Sequence, residues 1–129
     1  MLLTKAWELR SRYSYVDVLG EKEEAEQMLR DYFDNLNKRD FMLAYEKWDN
    51  NWKHRHSYDN FEAGYADVQN YLDYYVTSTL SSDNGVTLEG SITAEEGYPE
   101  QIYFYQFTYE TKEIDGTWKI VSGKLKKLY

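Results

Sequence analysis

The repeat of the apolar residues changes once along this chain, and that change limits the folds available to it. Before residue 71, apolar side chains recur every three or four positions, as they do on one face of a helix. After residue 71 the repeat is two, which is typical of a strand with one buried face, and residues 86–95 alternate strictly. Helices followed by strands predict an α+β domain in which three helices pack on one face of an antiparallel sheet.

The helical half of the chain divides at its capping residues. The first helix is predicted over residues 21–36, and its apolar stripe is Ala25, Met28, Leu29, Tyr32, Phe33 and Leu36. Asp40 is a suitable N-cap for a short second helix, and Ser57 is a suitable N-cap for a third. Residues 50–56 show no clear period, so we expect a loop there.

The second half predicts at least four strands joined by short turns. A turn is expected at residues 81–85, and Asp115-Gly116 is a strong signal for a two-residue hairpin. One face of the third strand carries a row of aromatic residues, namely Tyr103, Tyr105, Phe107 and Tyr109. This row has two interpretations: it packs against the helices, or it lies on the outer face and forms an interface with a second subunit.

Residues 1–20 lie outside this pattern. Tyr13, Tyr15 and Asp17 alternate with smaller residues, which predicts a short strand within an ordered arm or a remnant of a longer chain. The domain itself is expected to span residues 21–129. The opening residues are too polar for a signal peptide, so the chain is either cytosolic or a segment of a longer exported or membrane-anchored protein.

Composition excludes several classes of protein. The net charge is −8, from 23 acidic and 15 basic residues, and this disfavours binding to nucleic acid. The chain contains no cysteine, so disulfides and thiolate metal sites are excluded. No stretch approaches the ~20 apolar residues of a membrane span, so we expect no membrane insertion in this segment. Aromatic residues make up 18% of the chain, which predicts either a pocket lined by rings or ordinary aromatic packing at the edge of the core.

Three segments carry a resemblance to a known superfamily. They are NLNKRDFMLAYEKWD, SYDNFEAGY and EIDGTWKIVSGKL, and they occur in that order. Together with the first helix they resemble the nuclear transport factor 2-like superfamily over roughly residues 21–128. The resemblance implies a cystatin-like α+β cone with a strongly curved sheet, a pocket at its open end, and frequent homodimers through the outer sheet face.

The superfamily does not determine a function. It includes ketosteroid isomerase and scytalone dehydratase, and also non-catalytic extracytoplasmic domains of bacterial lipoproteins, kinases and conjugation proteins. This chain is more similar to the last group. The resemblance therefore implies a non-catalytic binding or assembly domain of a bacterial, extracytoplasmic protein. The alternatives are an isomerase- or dehydratase-type enzyme that uses a pocket carboxylate, and a protein that binds an apolar or aromatic ligand without turnover.

No residue set matches a catalytic signature, and we expect no cofactor. Asp49 and Asp73 are better explained as surface or capping carboxylates than as a catalytic base. The two histidines at positions 54 and 56 could contribute to a metal site, but a polar, basic surrounding favours two solvated histidines. The residues predicted to contact a small apolar ligand are Tyr32, Tyr45, Trp52, His54 and His56.

Overall fold

The computed structural model describes residues 2–82 and 85–129, and its side chains are described from residue 20 onward. Four helices precede four strands. The helices are α1 (Leu2–Asn37), α2 (Phe41–Tyr45), α3 (Asn50–Arg55) and α4 (Tyr58–Gly64). The strands are β1 (Val68–Ser82), β2 (Gly85–Glu96), β3 (Gln101–Ile114) and β4 (Thr117–Lys127). They form one antiparallel sheet in the order β1-β2-β3-β4, which confirms the predicted α+β class.

Two segments differ from the sequence prediction. Residues 2–20 continue α1, so the short strand predicted around Tyr15 is wrong. Residues 50–55 form α3 instead of a loop, because the Asp49 carboxylate accepts a hydrogen bond from the Trp52 backbone N–H at 2.9 Å and caps the helix. The predicted caps at Asp40 and Ser57 are confirmed, since each side chain accepts from a backbone N–H three residues later.

The hairpin between β3 and β4 closes as predicted. Ile114 pairs with Thr117, and the two turn residues, Asp115 and Gly116, have φ angles of 53° and 81°. Positive φ at both positions is typical of the tight turn that matches strand twist. Asp83 and Asn84, in the predicted turn between β1 and β2, lie outside the described residues.

Strand β1 is irregular and is fastened to the end of α1. Its pairing with β2 shifts register after Val68, after Leu72 and after Val76. Asn37, the last residue of α1, donates to the Tyr71 carbonyl at 3.0 Å and accepts from the Tyr71 N–H at 2.6 Å. The side chain therefore satisfies both backbone groups of a residue that lies between two of these shifts.

The core lies between α1 and the sheet. The predicted stripe of α1 is buried, and it packs with inward-facing residues of β2 and β3 and with aromatic residues of the short helices. Phe33, for example, lies 6.0 Å from Phe107 and 5.9 Å from Tyr109 between ring centroids. Phe107 and Tyr109 are each 2% exposed, so the interpretation of these two residues as a subunit interface is wrong. The row faces the helices, and its outer residues Tyr103 and Tyr105 are partly exposed.

A short link joins the helical layer to the last strand. Trp48 forms an isolated parallel bridge with Ile120. The Ile120 carbonyl accepts from the Asp49 N–H at 2.9 Å, and the Ile120 N–H donates to the Lys47 carbonyl at 2.8 Å. This link holds the start of α3 against β4.

Across residues 2–82 and 85–129, no helix has both the length and the apolar character needed to cross a membrane.

Candidate ligand-binding pocket

A cavity of about 360 Å³ lies between the short helices and the sheet. Its wall is mainly aromatic and apolar. The rings come from the short helices and their flanks and from β1 and β3: Trp48, Trp52, Phe61, Tyr65, Tyr71 and Tyr105. The polar side chains on the wall are those of His56, Asn60 and Glu96. Apolar walls with a few converging polar groups are characteristic of small-molecule sites, whose volumes run from about 300 to 1,000 Å³.

One side of the pocket is a stack of three rings. Trp52 lies 3.8 Å from Trp48 between ring centroids, with planes 19° apart, and 4.0 Å from His56, with planes 10° apart. Trp52 and His56 are four residues apart across α3, so the helical turn brings these two rings onto one face. Trp48 precedes the Asp49 cap and is positioned by its bridge to Ile120. His56 Nδ1 lies 2.9 Å from the Trp52 carbonyl, which fixes the imidazole in the stack.

Tyr45 supports this stack from outside the pocket. Its hydroxyl donates to the backbone carbonyls of His56, at 2.5 Å, and Lys53, at 3.2 Å. Both carbonyls lie at the end of α3, where the last carbonyls of a helix lack backbone N–H donors from a following turn. Tyr45 therefore holds the end of α3 in place but does not line the cavity.

Tyr32 supports the pocket from within the core. Its hydroxyl lies 2.8 Å from the hydroxyl of Tyr65, which does line the cavity. Burial raises the pKa of Tyr32 well above its usual value, and the neighbouring Tyr65 and Tyr109 add to the rise. Burial also raises the pKa of Tyr65, so both hydroxyls remain protonated at neutral pH.

A polar corner closes the other side of the pocket. The Tyr105 hydroxyl donates to Glu96 Oε1 at 2.5 Å, and the Lys127 ammonium lies 3.6 Å from Glu96 Oε2. Burial, followed by the bond to Glu96, raises the pKa of Tyr105, so its hydroxyl acts as a donor. Burial raises the pKa of Tyr71 as well, with smaller contributions from Tyr65 and Glu96.

Glu96 was not among the residues predicted from the sequence. The sequence did carry a signal for it: if the alternation of residues 86–95 is extended by one position, Glu96 falls on the same strand face as Ile92 and Ala94. Both of those residues are buried under the helices. A carboxylate at the end of a buried row reaches the open end of the core, which is where the pocket lies.

The two histidines lie in different parts of the surface. His56 lies on the pocket wall, whereas His54 lies in a separate shallow depression beside Asn50 and Lys53. Residues two apart on a helix point to different sides, so α3 cannot direct both rings to one metal ion. Within the described part of the chain, no group of three or more His, Asp or Glu side chains could hold a metal. Of the predicted ligand contacts, Trp52 and His56 line the cavity, Tyr32 and Tyr45 lie behind its wall, and His54 lies elsewhere.

Comparison with known proteins finds similarity in structure but not in sequence families. No family model and no curated protein sequence matches this chain. Among solved structures, the chain is similar to the solution structure of a SEC-C motif containing protein from Rhodopseudomonas palustris. The TM-score is 0.63 at 18% sequence identity, over 75% of this chain and 74% of that one. At this level of identity, the similarity bears on the fold alone and carries no information about activity.

Proposed function

We propose that this chain is a non-catalytic binding domain whose pocket receives a small apolar or aromatic molecule. The observation that carries the proposal is the wall of the cavity, on which Trp48, Trp52 and His56 are stacked along one side. Because Trp48 and His56 cover both faces of Trp52, the Trp52 ring can offer only its edge to the cavity, and ring edges with T-shaped neighbours are suited to planar or apolar ligands. The backbone anchors at Tyr45 and Asp49 hold this wall in place before any ligand arrives, which lowers the entropic cost of binding.

An isomerase- or dehydratase-type enzyme is the alternative, and Glu96 is its candidate carboxylate. A general base needs a free lone pair within about 2.6–3.2 Å of the proton that it removes. The Tyr105 hydroxyl already donates to one oxygen of Glu96 at 2.5 Å, and no second carboxylate lines the described wall to act as the acid, so the geometry favours binding over proton transfer. Isomerisation or dehydration of a bound compound, followed by NMR, would favour the enzyme instead.

The proposal includes the cone of the nuclear transport factor 2-like superfamily. It is supported by the three register shifts in β1, since irregular pairing bends a strand, and by the packing of α1 against the inner face of the sheet. A crystal structure tests this point: a sheet that wraps around α1 is expected, and a flat sheet contradicts the cone.

Assembly through the sheet is the other proposed role. Ile102 and Phe104 lie on the face of β3 opposite Phe107 and are 56% and 41% exposed. The mass of the domain in solution, measured by light scattering, tests this role. A strict monomer at high concentration would leave ligand binding as the function.

Tryptophan fluorescence and thermal shift provide the binding test, because Trp52 is part of the wall. A panel of neutral and charged aromatic compounds is titrated into the full chain, and we expect at least one to raise the melting temperature. Trp52→Ala removes one stacked ring, which is worth about 1 kcal/mol, or roughly fivefold in affinity. Tyr98→Ala is the matched control, since Tyr98 is 90% exposed and does not line the pocket. If no member of the panel binds, or if Trp52→Ala leaves affinity unchanged, the pocket is not a binding site.

A further inference from the structure

The charge of the pocket wall is unbalanced toward the negative side. Of the described residues that line the cavity, Glu96 is the only carboxylate, and none is lysine or arginine. The chain as a whole carries a net charge of −8, which adds a field of the same sign. A cationic ligand would therefore meet a carboxylate on the lining itself, whereas the nearest ammonium to an anionic ligand is that of Lys127, which is behind Glu96 and already paired with it.

The rings that line the cavity offer several faces to a cation. Tyr65 and Tyr71 lie 6.3 Å apart with planes 71° apart, and Phe61 and Tyr65 lie 5.0 Å apart with planes 61° apart. Rings at steep mutual angles surround a space with more than one negative π-face. Quaternary ammonium groups are recognised by such arrangements through cation–π attraction.

The same corner already holds an ammonium group that belongs to the protein. Lys127 Nζ lies 3.7 Å from the centroid of the Tyr103 ring and 5.6 Å from that of Tyr105. Its distance to Glu96 Oε2 is 3.6 Å. Because about half of the Lys127 side chain is exposed, this ion pair is screened by solvent and is weak. A ligand that approaches Glu96 from the pocket can compete with it.

We propose that the pocket selects a small organic cation, with its onium group against Tyr71, Tyr105 and the Glu96 carboxylate. The apolar part of the cation lies toward Trp52 and Phe61. This inference rests on the proposed binding function and names its ligand class. Lys127 is an internal competitor for the same carboxylate.

The test compares benzyltrimethylammonium with its neutral isostere 2,2-dimethylpropylbenzene, in which carbon replaces the charged nitrogen. Both are titrated into the full chain at low ionic strength, and tryptophan fluorescence is recorded. We expect the cation to bind about tenfold more tightly than the isostere. In Glu96→Gln, which keeps a carbonyl acceptor for the Tyr105 hydroxyl, we expect this preference to fall below about threefold.

A second variant keeps the proposal falsifiable if Glu96→Gln fails to fold. Lys127→Met removes the competing ammonium and retains an apolar side chain, so the cation should bind severalfold more tightly. Lys124→Met makes the same change in net charge at an exposed position of β4 outside the pocket wall and should leave affinity unchanged.

The outcomes separate the two proposals. If the isostere and the neutral aromatic compounds bind as well as the cation, or if Glu96→Gln keeps the preference, the cation inference is overturned and the binding function stands. Equal effects of Lys127→Met and Lys124→Met also overturn it, because they show a response to net charge alone. If neither the cation nor any neutral compound binds, both proposals fail.

Discussion

Replacing Asn37 by alanine removes the side chain that joins the end of α1 to β1. The Asn37 amide makes two hydrogen bonds with the backbone of Tyr71, at 2.6 and 3.0 Å, and Tyr71 is 7% exposed. Asn37→Ala therefore leaves one buried N–H and one buried carbonyl without these partners. Each such group costs about 1–3 kcal/mol, so we expect a loss of about 2–6 kcal/mol in the free energy of unfolding.

Urea denaturation followed by circular dichroism measures this loss. With a typical slope of about 2 kcal/mol per molar urea, the midpoint should fall by about 1–3 M. Asn35→Ala is the matched control, because Asn35 lies on the same helix with similar partial burial, whereas the two bonds to Tyr71 are made by Asn37. We expect the control to change stability by less than about 0.5 kcal/mol.

A second readout connects this prediction to the pocket. Tyr71 lines the cavity, so loss of its anchor should weaken ligand binding together with stability. If Asn37→Ala and Asn35→Ala have the same midpoint, solvent satisfies the Tyr71 backbone, and the argument that Asn37 fastens β1 is refuted.

Two further predictions concern stability. Burial raises the pKa values of Tyr32 and Tyr109 well above their usual value. Above about pH 10, the folded protein therefore keeps two phenol protons that the unfolded chain loses. Stability should therefore fall as pH rises above about 10, by about 1.4 kcal/mol per pH unit for each tyrosine, and urea midpoints on either side of this pH measure the effect. A flat profile above about pH 10 would contradict the burial. Gly123→Ala should lose about 1–3 kcal/mol, since a Cβ there would lie 2.6 Å from a Tyr109 ring atom. Gly64→Ala has open space and should be neutral or stabilising by up to about 1 kcal/mol, so equal urea midpoints for the two variants would refute the steric argument.

The parts of the fold that the sequence predicted are those specified by short-range patterns. The stripe of α1, the caps at Asp40 and Ser57, and the Asp115-Gly116 hairpin each depend on residues within a few positions of one another. Helix α3 was missed because it buries no residue and so has no apolar period, although Asp49 carried the capping signal. The strand predicted near Tyr15 rested on six alternating residues, a pattern too short to outweigh continuation of the helix.

The pocket was harder to predict than the fold because its wall is assembled from distant parts of the chain. Trp52 was found because it falls off the apolar stripe of α2, and its neighbour His56 follows at helical spacing. Tyr71 and Leu125 join that wall only through the pairing of the sheet. Tyr32 and Tyr45 were predicted to contact the ligand, yet their hydroxyls bond to Tyr65 and to backbone carbonyls behind the wall instead.

The bridge between Trp48 and Ile120 has a consequence for synthesis on the ribosome. The start of α3 depends on hydrogen bonds to β4, and β4 is the last element of the domain to be translated. The wall beside Trp48 therefore stays incomplete until β4 has left the exit tunnel and joined the sheet, so the pocket is among the last features of the domain to form.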